Sequence, residues 1–588
     1  MRTRTPLIIL CLFVFLGNIL VGQRGQRAQS HPVPKSKENS LSTQELLDLF
    51  EKTFYRLNSN YVDEINEEVI IKSAIRGMFE PLDPYTVFLD GAKKDRIELL
   101  TKGRYGGIGI HITLSRDTLI ILSPIENSPA YNEGLMSGDK IIMVDSVSTI
   151  GMTINEAGKL IKGDIGTEVM LTIIRPSTKK RHSFKLVRAN IPVLDIPYAG
   201  VDPTGIGYLR VNKFSRNSSA YFRDSLQVLL DQDLQGLIVD LRGNSGGLLQ
   251  QALSILDLLT PRNEVLLSTS GRNRSSNKTS LSRVEPLLPA DIPVAVLINK
   301  SSASASEIVA GVLQDLDRAV ILGTRSFGKG LVQSIYTIND STKMKITTAK
   351  YYTPSGRLIQ KLDYLENGAL TDGYDKLDTT FHTRSGREVR AAGGISPDIR
   401  ITARKRTPFV NELWRQGLFL SFASQYVPEN DIKLPIDVNE KVMTDFEKFL
   451  QNYEFEYKEP GENELARLKE ILARNDDLNG GENSGFLNQL LFWRQDQVSI
   501  LSARLDKYYL KRKNNPFNPA NEEWIKNGLL REMSRVASGN DAGAAAAALE
   551  YDPVYLEAVA VLRDANRYYD LLSPPVTADE IKPETSQP

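Results

Sequence analysis

A serine cluster is the first candidate for chemistry in this sequence. The segment NKSSASASEI, residues 299–308, places four serines within six positions. It follows the apolar run IPVAVLI and precedes EIVAGVLQDL, so it falls at a predicted strand-to-helix junction. The first turn of a helix carries unpaired N–H groups and partial positive charge, which suits a nucleophile whose reaction develops an oxyanion. An ordinary serine N-cap occurs at the same kind of junction, so these residues alone leave both interpretations open.

A serine nucleophile needs a base, and the sequence offers a lysine more readily than a histidine. Of four histidines, only His382 falls in the predicted α/β part, inside a polar loop, which disfavours a Ser-His-Asp triad. Burial in apolar surroundings lowers the pKa of a lysine and so yields a neutral amine. Lys329, in RSFGKGLVQ, lies between two glycines among apolar neighbours. Gln333 is four positions on, the spacing that places it beside Lys329 to orient the amine. The alternative is a solvated loop lysine.

The oxyanion of such a reaction needs donors, and a glycine-rich segment could supply them. LRGNSGGLL, residues 241–249, ends a predicted buried strand and opens a helix. Glycines permit backbone geometry that aims N–H groups at a bound carbonyl. A phosphate-cradling loop is the alternative, but the segment has no Walker lysine.

The elements that must position these residues are predicted to form an α/β domain. Over residues 191–405, apolar strands such as LQGLIVDLRG alternate with helices, which predicts a sheet covered on both faces. Residues 103–190 alternate short strands with Gly, Pro, Asn and Asp turns and predict a compact β-rich module. Helical periodicity dominates residues 41–100 and 406–588, while RNRSSNKTS, residues 272–280, predicts a mobile loop.

Composition limits the remaining classes. The chain has 588 residues, too many for one core, and 72 basic against 72 acidic residues, which gives no sign of nucleic acid as a partner. Arg2 and Arg4 precede a short apolar run typical of a signal peptide, with an uncleaved membrane anchor as the alternative. The only cysteine, Cys11, lies inside that run, so the mature chain would have neither disulfides nor a thiol nucleophile.

Several motifs, in order, resemble one family. SSASASEIVAGVLQD, GTRSFGKGLVQ and LRGNSGG are similar to segments of the carboxy-terminal processing peptidases, also called tail-specific proteases. These are serine endopeptidases with a Ser–Lys dyad and an inserted PDZ domain. YGGIGIHI with SPIENSPAYNEGLMSGDKIIMVD resembles the PDZ module, and YYTPSGRLIQ with GISPDI resembles the segments after the catalytic lysine. The resemblance covers about residues 45–405.

The resemblance implies a role for individual residues. It places the nucleophile at Ser304, the general base at Lys329 and the residue orienting that lysine at Gln333. One oxyanion donor is the backbone amide of Ala305. The other lies in the glycine pair, at Gly246 with Gly247 as the alternative.

The remaining polar residues of these segments receive structural roles. Ser302 and Ser306 are expected in the turn and the helix cap. Asp315 also fits a family position, but eleven residues of helix place it about 16 Å from Ser304. We therefore expect Asp315 to support the fold.

The PDZ module implies peptide binding. Such modules add an extended peptide to a sheet edge and capture its terminal carboxylate with backbone amides. Here those amides would be Gly107, Ile108 and Gly109, with Ile108 and Ile110 lining a pocket for an apolar last residue. The alternative is a purely structural insert.

The predicted architecture is multidomain α/β. A crotonase- or ClpP-like protease core carries an inserted PDZ domain between N-terminal and C-terminal helical regions. The predicted segments are a signal peptide at 1–28, a helical region at 29–102, the PDZ domain at 103–190, the core at 191–405 and a helical region with a disordered tail at 406–588.

The predicted function is that of an exported serine endopeptidase of the periplasm or cell envelope, with membrane association as an alternative. It needs no metal or organic cofactor. Its partners would be proteins with apolar C-terminal tails, with an adaptor or self-association through the C-terminal helical region, and no nucleic acid. The alternatives are a catalytically silent PDZ scaffold, a Ser-His-Asp hydrolase using His382, and a crotonase-like acyl-CoA enzyme.

Overall fold

The structure is a computed structural model that describes residues 41–340, 342–363, 371–372, 379–391, 393–402, 404–453, 455–476, 500–513 and 515–574. The predicted signal peptide therefore lies outside the described residues. The chain divides into two compact units. Unit 1 comprises the described parts of residues 1–89, 333–347 and 362–376, and unit 2 comprises the rest.

Unit 1 is built from two helices and short strands. Its helices are Thr43–Asn60 and Glu67–Gly77, and neither buries a residue. The first begins at a capping box in which Ser42 and Glu45 exchange hydrogen bonds. The strand Val87–Leu89 pairs antiparallel with residues 343–345 of the strand Thr342–Tyr352. Two further strands of this unit, Leu362–Asp363 and Thr371–Asp372, pair with each other.

The PDZ module of unit 2 is a five-stranded antiparallel sheet with a short extra strand. Its order is Ile110–Ser115, Thr118–Pro124, Lys140–Val144, Glu168–Ile174 and Arg181–Val187, with Val147–Ser148 on the third. Helices Pro129–Asn132 and Ile154–Ile161 complete it, and helix Gly91–Lys102 precedes it. The strands Arg104–Gly107 and Ala189–Pro192 pair with each other where the chain enters and leaves the module. Strand Ile110–Ser115 lies at the edge of the sheet.

The core of unit 2 is a six-stranded sheet that is parallel except at its first pair. Its order is Tyr198–Val201, Ile206–Arg210, Gly236–Asp240, Val294–Ile298, Val320–Gly323 and Ile399–Arg400. One face packs on helices Ser218–Leu230, Leu249–Leu256 and Ala305–Asp315. The other face packs on Pro553–Arg563 and Ala565–Leu572. This confirms the predicted α/β sheet covered on both faces, and it shows that the second cover comes from the end of the chain.

The C-terminal helices form an aromatic cluster that also contacts the PDZ module. The helices are Pro408–Arg415, Leu418–Glu429, Glu440–Asn452, Glu462–Asp476, residues 500–513, Pro519–Ser538 and Asp541–Leu549. Their core includes Phe409, Phe419 and Phe446. The His111 ring lies 2.7 Å from the Asp541 carboxylate, across the contact with the PDZ module. No helix among the described residues is long and apolar enough to cross a membrane.

The segment 272–280 is more ordered than the sequence predicts. Lys278–Leu281 is a strand paired antiparallel with Val265–Ser270, and a short 3₁₀ turn, Arg274–Ser276, joins them. Asn277 and Asn273 side chains accept backbone N–H groups in this turn. The prediction of a mobile loop was wrong because these polar residues satisfy one another locally.

A buried ion pair confirms that Asp315 supports the fold. Its carboxylate lies 2.6 Å from the guanidinium of Arg357, and the two side chains are at most 1% exposed. We expect Asp315→Ala to destabilise the protein by about 3–5 kcal/mol, because it leaves an unpaired buried charge. Denaturant unfolding of the single and double variants tests this. Adding Arg357→Met should recover much of the loss, and an Asp315→Ala loss below about 1 kcal/mol would contradict the assignment.

Candidate active site

Ser304 occupies a strained turn between a buried strand and a helix. All five residues of Val294–Ile298 are buried, and the helix Ala305–Asp315 begins directly after Ser304. Ser304 has φ +54° and ψ −114°, a conformation that costs a non-glycine residue about 1–3 kcal/mol. Its neighbours Ala303 and Ala305 are buried while Ser304 remains partly exposed. The turn therefore presents Ser304 between two buried alanines, as a nucleophile elbow presents its serine.

The neighbouring serines hold this turn in place. Ser302 Oγ donates to the carbonyl of Leu241 at 2.9 Å, and Ser306 Oγ donates to that of Asn244 at 2.9 Å. The Ala303 N–H donates to the same Asn244 carbonyl at 3.0 Å. This confirms structural roles for Ser302 and Ser306, and it ties the serine turn to the glycine segment 241–249.

The carboxylate of Glu307 joins the backbones of Ser304 and Lys329. Its Oε2 accepts the Ser304 N–H at 2.8 Å and the Lys329 N–H at 2.9 Å. Its Oε1 accepts Ser326 Oγ at 2.5 Å and the Gly328 N–H at 2.6 Å. Four donors on one carboxylate fix the serine turn and the lysine loop to each other.

Burial sets the ionisation of Glu307. The side chain is fully buried, which raises its pKa to about 7, while the hydrogen bonds from Ser326, Lys329, Gly328 and Ser304 oppose that rise. Three of these partners are backbone N–H groups, which can only donate, so the arrangement favours the ionised carboxylate. Glu307 is therefore a group whose charge changes within the ordinary working range of an enzyme.

Tyr351 makes a second connection between the same two segments. Its hydroxyl lies 2.5 Å from the carbonyl oxygen of Lys329 and 3.3 Å from that of Ser304. Sequence reasoning missed both Tyr351 and Glu307. For Glu307 a signal existed, since Ser304 and Glu307 have the S-x-x-E spacing of a capping box. For Tyr351 there was none, because it comes from a distant strand.

The glycine segment lies against the serine turn. A Cβ on Gly246 would lie 2.9 Å from Ser304 Cβ and 3.0 Å from the Ala305 nitrogen, so only glycine allows this approach. The Gly246 N–H, however, donates to Asn244 Oδ1 at 2.8 Å. Within the described part of the chain, the amides of Gly247 and Ala305 donate to no protein acceptor. The geometry thus favours the sequence alternative, Gly247, over Gly246 as the glycine donor beside Ala305.

Gly247 gives a direct test of this segment. A Cβ at this position would lie 2.1 Å from the carbonyl oxygen of Phe214, so Gly247→Ala must displace the glycine pair. We expect kcat to fall by about 10²–10³-fold, the usual effect of removing one oxyanion donor. Steady-state kinetics would measure it, and Gly77→Ala, where a Cβ meets no atom within 4 Å and φ is not positive, is the control. Equal activity of the two variants would contradict the role of Gly247.

The other predicted site residues fall elsewhere. Gln333 lies on the strand Leu331–Asn339 and belongs to unit 1, whereas Ser304 and Lys329 belong to unit 2. Its predicted orientation of Lys329 stays a prediction. His382 ends the short strand Thr380–His382 and is exposed, and His111 and His182 lie in the PDZ module.

The predicted peptide-binding loop lies between two strands of the PDZ module. Gly107 ends the strand Arg104–Gly107, and Gly109, with φ +78°, comes so close to Ser128 that a Cβ would lie 2.2 Å from Ser128 Cβ. Ile108 is 1% exposed and belongs to the module's core, so it does not line an open pocket. Ile110 begins the edge strand and is only partly buried, as a pocket wall requires.

Comparison with known proteins identifies the family of each region. Residues 205–366 match Peptidase family S41, and residues 120–175 match a PDZ domain. Residues 9–93 match the activating protease CtpB N-terminal domain, and residues 409–486 match the family described as "Probable PDZ-protease, C-terminal helical domain". The last match assigns a family to the region beyond residue 405, where the sequence motifs showed no resemblance.

Curated relatives and solved structures carry related names. The carboxy-terminal-processing protease of Bartonella bacilliformis is 37% identical over 350 residues, 58% of this chain and 80% of that protein. The carboxy-terminal processing protease CtpB of Bacillus subtilis is 32% identical over 341 residues, 57% of this chain and 70% of that protein. A solved photosystem II D1 C-terminal processing protease aligns with 62% of this chain and 94% of its own at 24% identity, with a TM-score of 0.32.

An α/β peptidase core with an inserted PDZ domain defines the class of this protein as a serine protease of family S41. Within that class, the chain belongs to the carboxy-terminal processing proteases. The resemblance and the fold class predicted from the sequence motifs are confirmed.

Proposed function

We propose that this protease cleaves proteins near their C-terminal tails, with Ser304 as nucleophile and Lys329 as general base. The observation that carries the assignment is the Glu307 carboxylate, one oxygen of which accepts the backbone N–H groups of both residues. A carboxylate fully withdrawn from solvent is costly to maintain. Its position, between a strained serine and a half-buried lysine, is what a dyad of fixed geometry needs.

In the proposed reaction, neutral Lys329 takes the hydroxyl proton of Ser304. The Ser304 oxygen forms a bond to the scissile carbonyl carbon, and the resulting oxyanion accepts the Gly247 and Ala305 amides. Collapse breaks the C–N bond, and Lys329 returns the proton to the leaving amine. Water then hydrolyses the acyl-enzyme, with Lys329 again taking and returning a proton. Gln333 orients the lysine amine.

The PDZ domain supplies selection of the tail. Strand Ile110–Ser115 pairs on one side only among the described residues, which leaves an edge for an added peptide strand. Helix Ile154–Ile161 packs beside it, and Leu160 and Ile110 line that side of the module's core. The amides of Gly107, Ile108 and Gly109 bind the terminal carboxylate, and tail docking shifts the population toward an aligned catalytic site.

Export is part of the same proposal. The basic residues and apolar run at the N-terminus direct the chain to the periplasm or cell envelope, either as a cleaved signal or as an anchor. The C-terminal helices offer a surface for an adaptor or for self-association.

The experiment that tests tail selection compares two substrates that differ by one functional group. A loosely folded protein with an apolar C-terminal tail is incubated with the full chain, with either a free or an amidated terminal carboxyl. We expect amidation to lower kcat/KM by about tenfold or more, because a charged hydrogen-bond partner is lost. Ser304→Ala serves as the inactive control. Equal cleavage of both substrates would overturn tail capture.

A further inference from the structure

Asp195 is a fully buried carboxyl group that the proposed reaction does not use. Its Oδ2 accepts the hydroxyls of Ser215 and Ser218, the latter at 2.6 Å. Its Oδ1 is enclosed and has no hydrogen-bond partner among the described residues. Burial raises the pKa of Asp195, against the effect of those hydroxyls and of Lys213. One of its two carboxyl oxygens is therefore buried without a hydrogen bond, an arrangement that costs stability.

Asp195 lies on the segment by which the chain leaves the PDZ domain. The residue lies three positions after Ala189–Pro192, the strand by which the chain leaves the PDZ domain. Between them, the Val193 N–H donates to the carbonyl of Gly103, on the entering segment, at 3.0 Å. The Asp195 N–H in turn donates to the Val193 carbonyl at 3.0 Å. Any rotation of the PDZ domain about its two connections therefore acts on the backbone of Asp195.

The side chain of Asp195 leads to the glycine pair. Ser215 directly follows Phe214, whose N–H donates to the Gly246 carbonyl at 3.3 Å and whose carbonyl accepts the Leu248 N–H at 2.7 Å. The Phe214 carbonyl also occupies the space that a Cβ on Gly247 would need. The position of Phe214 thus sets the plane of the Gly246–Gly247 peptide, and with it the direction of the Gly247 N–H.

We propose that Asp195 is a positioning residue that couples the PDZ domain to the oxyanion site, by holding the Ser215–Ser218 loop and hence Phe214 against the glycine pair. The path runs by hydrogen bonds from Val193 through Asp195 to Ser215, and by the peptide bond of Ser215 to Phe214. The hydrogen bonds of Phe214 with Gly246 and Leu248, the two residues that flank Gly247, complete it within unit 2. It gives tail docking a physical route to the site, which a shift of the PDZ domain alone lacks. This inference rests on the proposed function of Ser304 and of the PDZ domain.

The test measures the reactivity of Ser304 separately from tail binding. The full chain is labelled with a fluorophosphonate probe, with and without a saturating apolar tail peptide too short to be cut. In the wild type we expect the tail to raise the labelling rate about 5-fold or more, the range of ordinary allosteric coupling. In Asp195→Asn the increase should fall below about twofold, with tail affinity by fluorescence anisotropy unchanged.

Matched variants separate coupling from folding. Asp202→Asn removes a carboxylate that organises a different turn of the core, through Thr204 and Ile206, and should respond to the tail as the wild type does. Ser218→Ala removes one hydroxyl donor and carries the same prediction with a smaller loss, should Asp195→Asn fail to fold.

The remaining outcomes contradict either the coupling role of Asp195 or the proposed function. An undiminished response in both Asp195→Asn and Ser218→Ala would overturn the inference, and so would lost tail affinity, since Asp195 would then serve the PDZ domain itself. A wild-type labelling rate that does not change when the tail peptide is added would also overturn it. Absence of labelling at Ser304 would instead overturn the proposed function.

Discussion

Replacing Ser304 or Lys329 with alanine is expected to lower kcat by about 10⁴–10⁶-fold in either case, and the double variant should be no worse than the single ones. Groups that act as one unit in catalysis show this non-additivity, because removing either member removes the whole proton transfer. The two backbones are fixed to one another by Glu307 and Tyr351, so loss of a side chain leaves the frame intact. Thermal unfolding and tail affinity should therefore stay close to those of the wild type.

The control for the lysine lies in the same turn as the serine. Lys300 is exposed, and Lys300→Ala should retain full activity. Lys329→Arg should be as inactive as Lys329→Ala, because a guanidinium does not lose its proton in a protein. Single-turnover cleavage of the tail-bearing protein measures these three variants. Near-wild-type cleavage by Lys329→Ala would show that another group is the base.

The sequence predicted the strand-to-helix turn at Ser304 well because its signal is local. A buried apolar run, small residues and a helical pattern locate Ser304 between a strand and a helix without knowledge of the fold. The alternation of apolar strands and helices likewise predicted a doubly covered sheet. The sequence did not predict which helices cover the second face. Amphipathic spacing in Pro553–Arg563 shows that one side is apolar but does not identify its partner.

The details that the sequence could not supply depend on distant contacts. Whether the Gly246 or Gly247 amide is available depends on Asn244, whose side chain engages the first of them. Ile108 lines no pocket because the PDZ core closes around it, although its sequence neighbours suggest an exposed loop. Glu307 has the pattern of an ordinary capping residue, and only tertiary packing turns it into a buried group that reaches the lysine loop.

Glu307 is expected to give activity and stability opposite dependences on pH. Its pKa is raised from 4.5 to about 7 by burial, so the folded protein holds this proton over a range in which the unfolded chain has lost it. The free energy of unfolding should therefore fall as pH rises from 4.5 through 7, by roughly 3 kcal/mol at about 1.4 kcal/mol per pKa unit. Activity should rise through the same window, because only the ionised carboxylate accepts all four donors.

Glu307→Gln separates the two effects. The amide imitates the protonated acid, so at pH 8 this variant should match or exceed the wild type in stability, yet its kcat/KM should be about 10–100-fold lower because an N–H₂ group faces N–H donors. In a plot of log(kcat/KM) against pH below pH 7, the wild-type slope should approach about 2, because Glu307 and Lys329 each lose one proton. In the variant the slope should be about 1, because only Lys329 titrates. Glu45→Gln, at the same capping-box position of an exposed helix, should alter neither profile. Identical slopes in the wild type and Glu307→Gln would show that Glu307 is only a structural cap, since a cap that merely anchors the helix has no reason to follow the ionisation of the dyad.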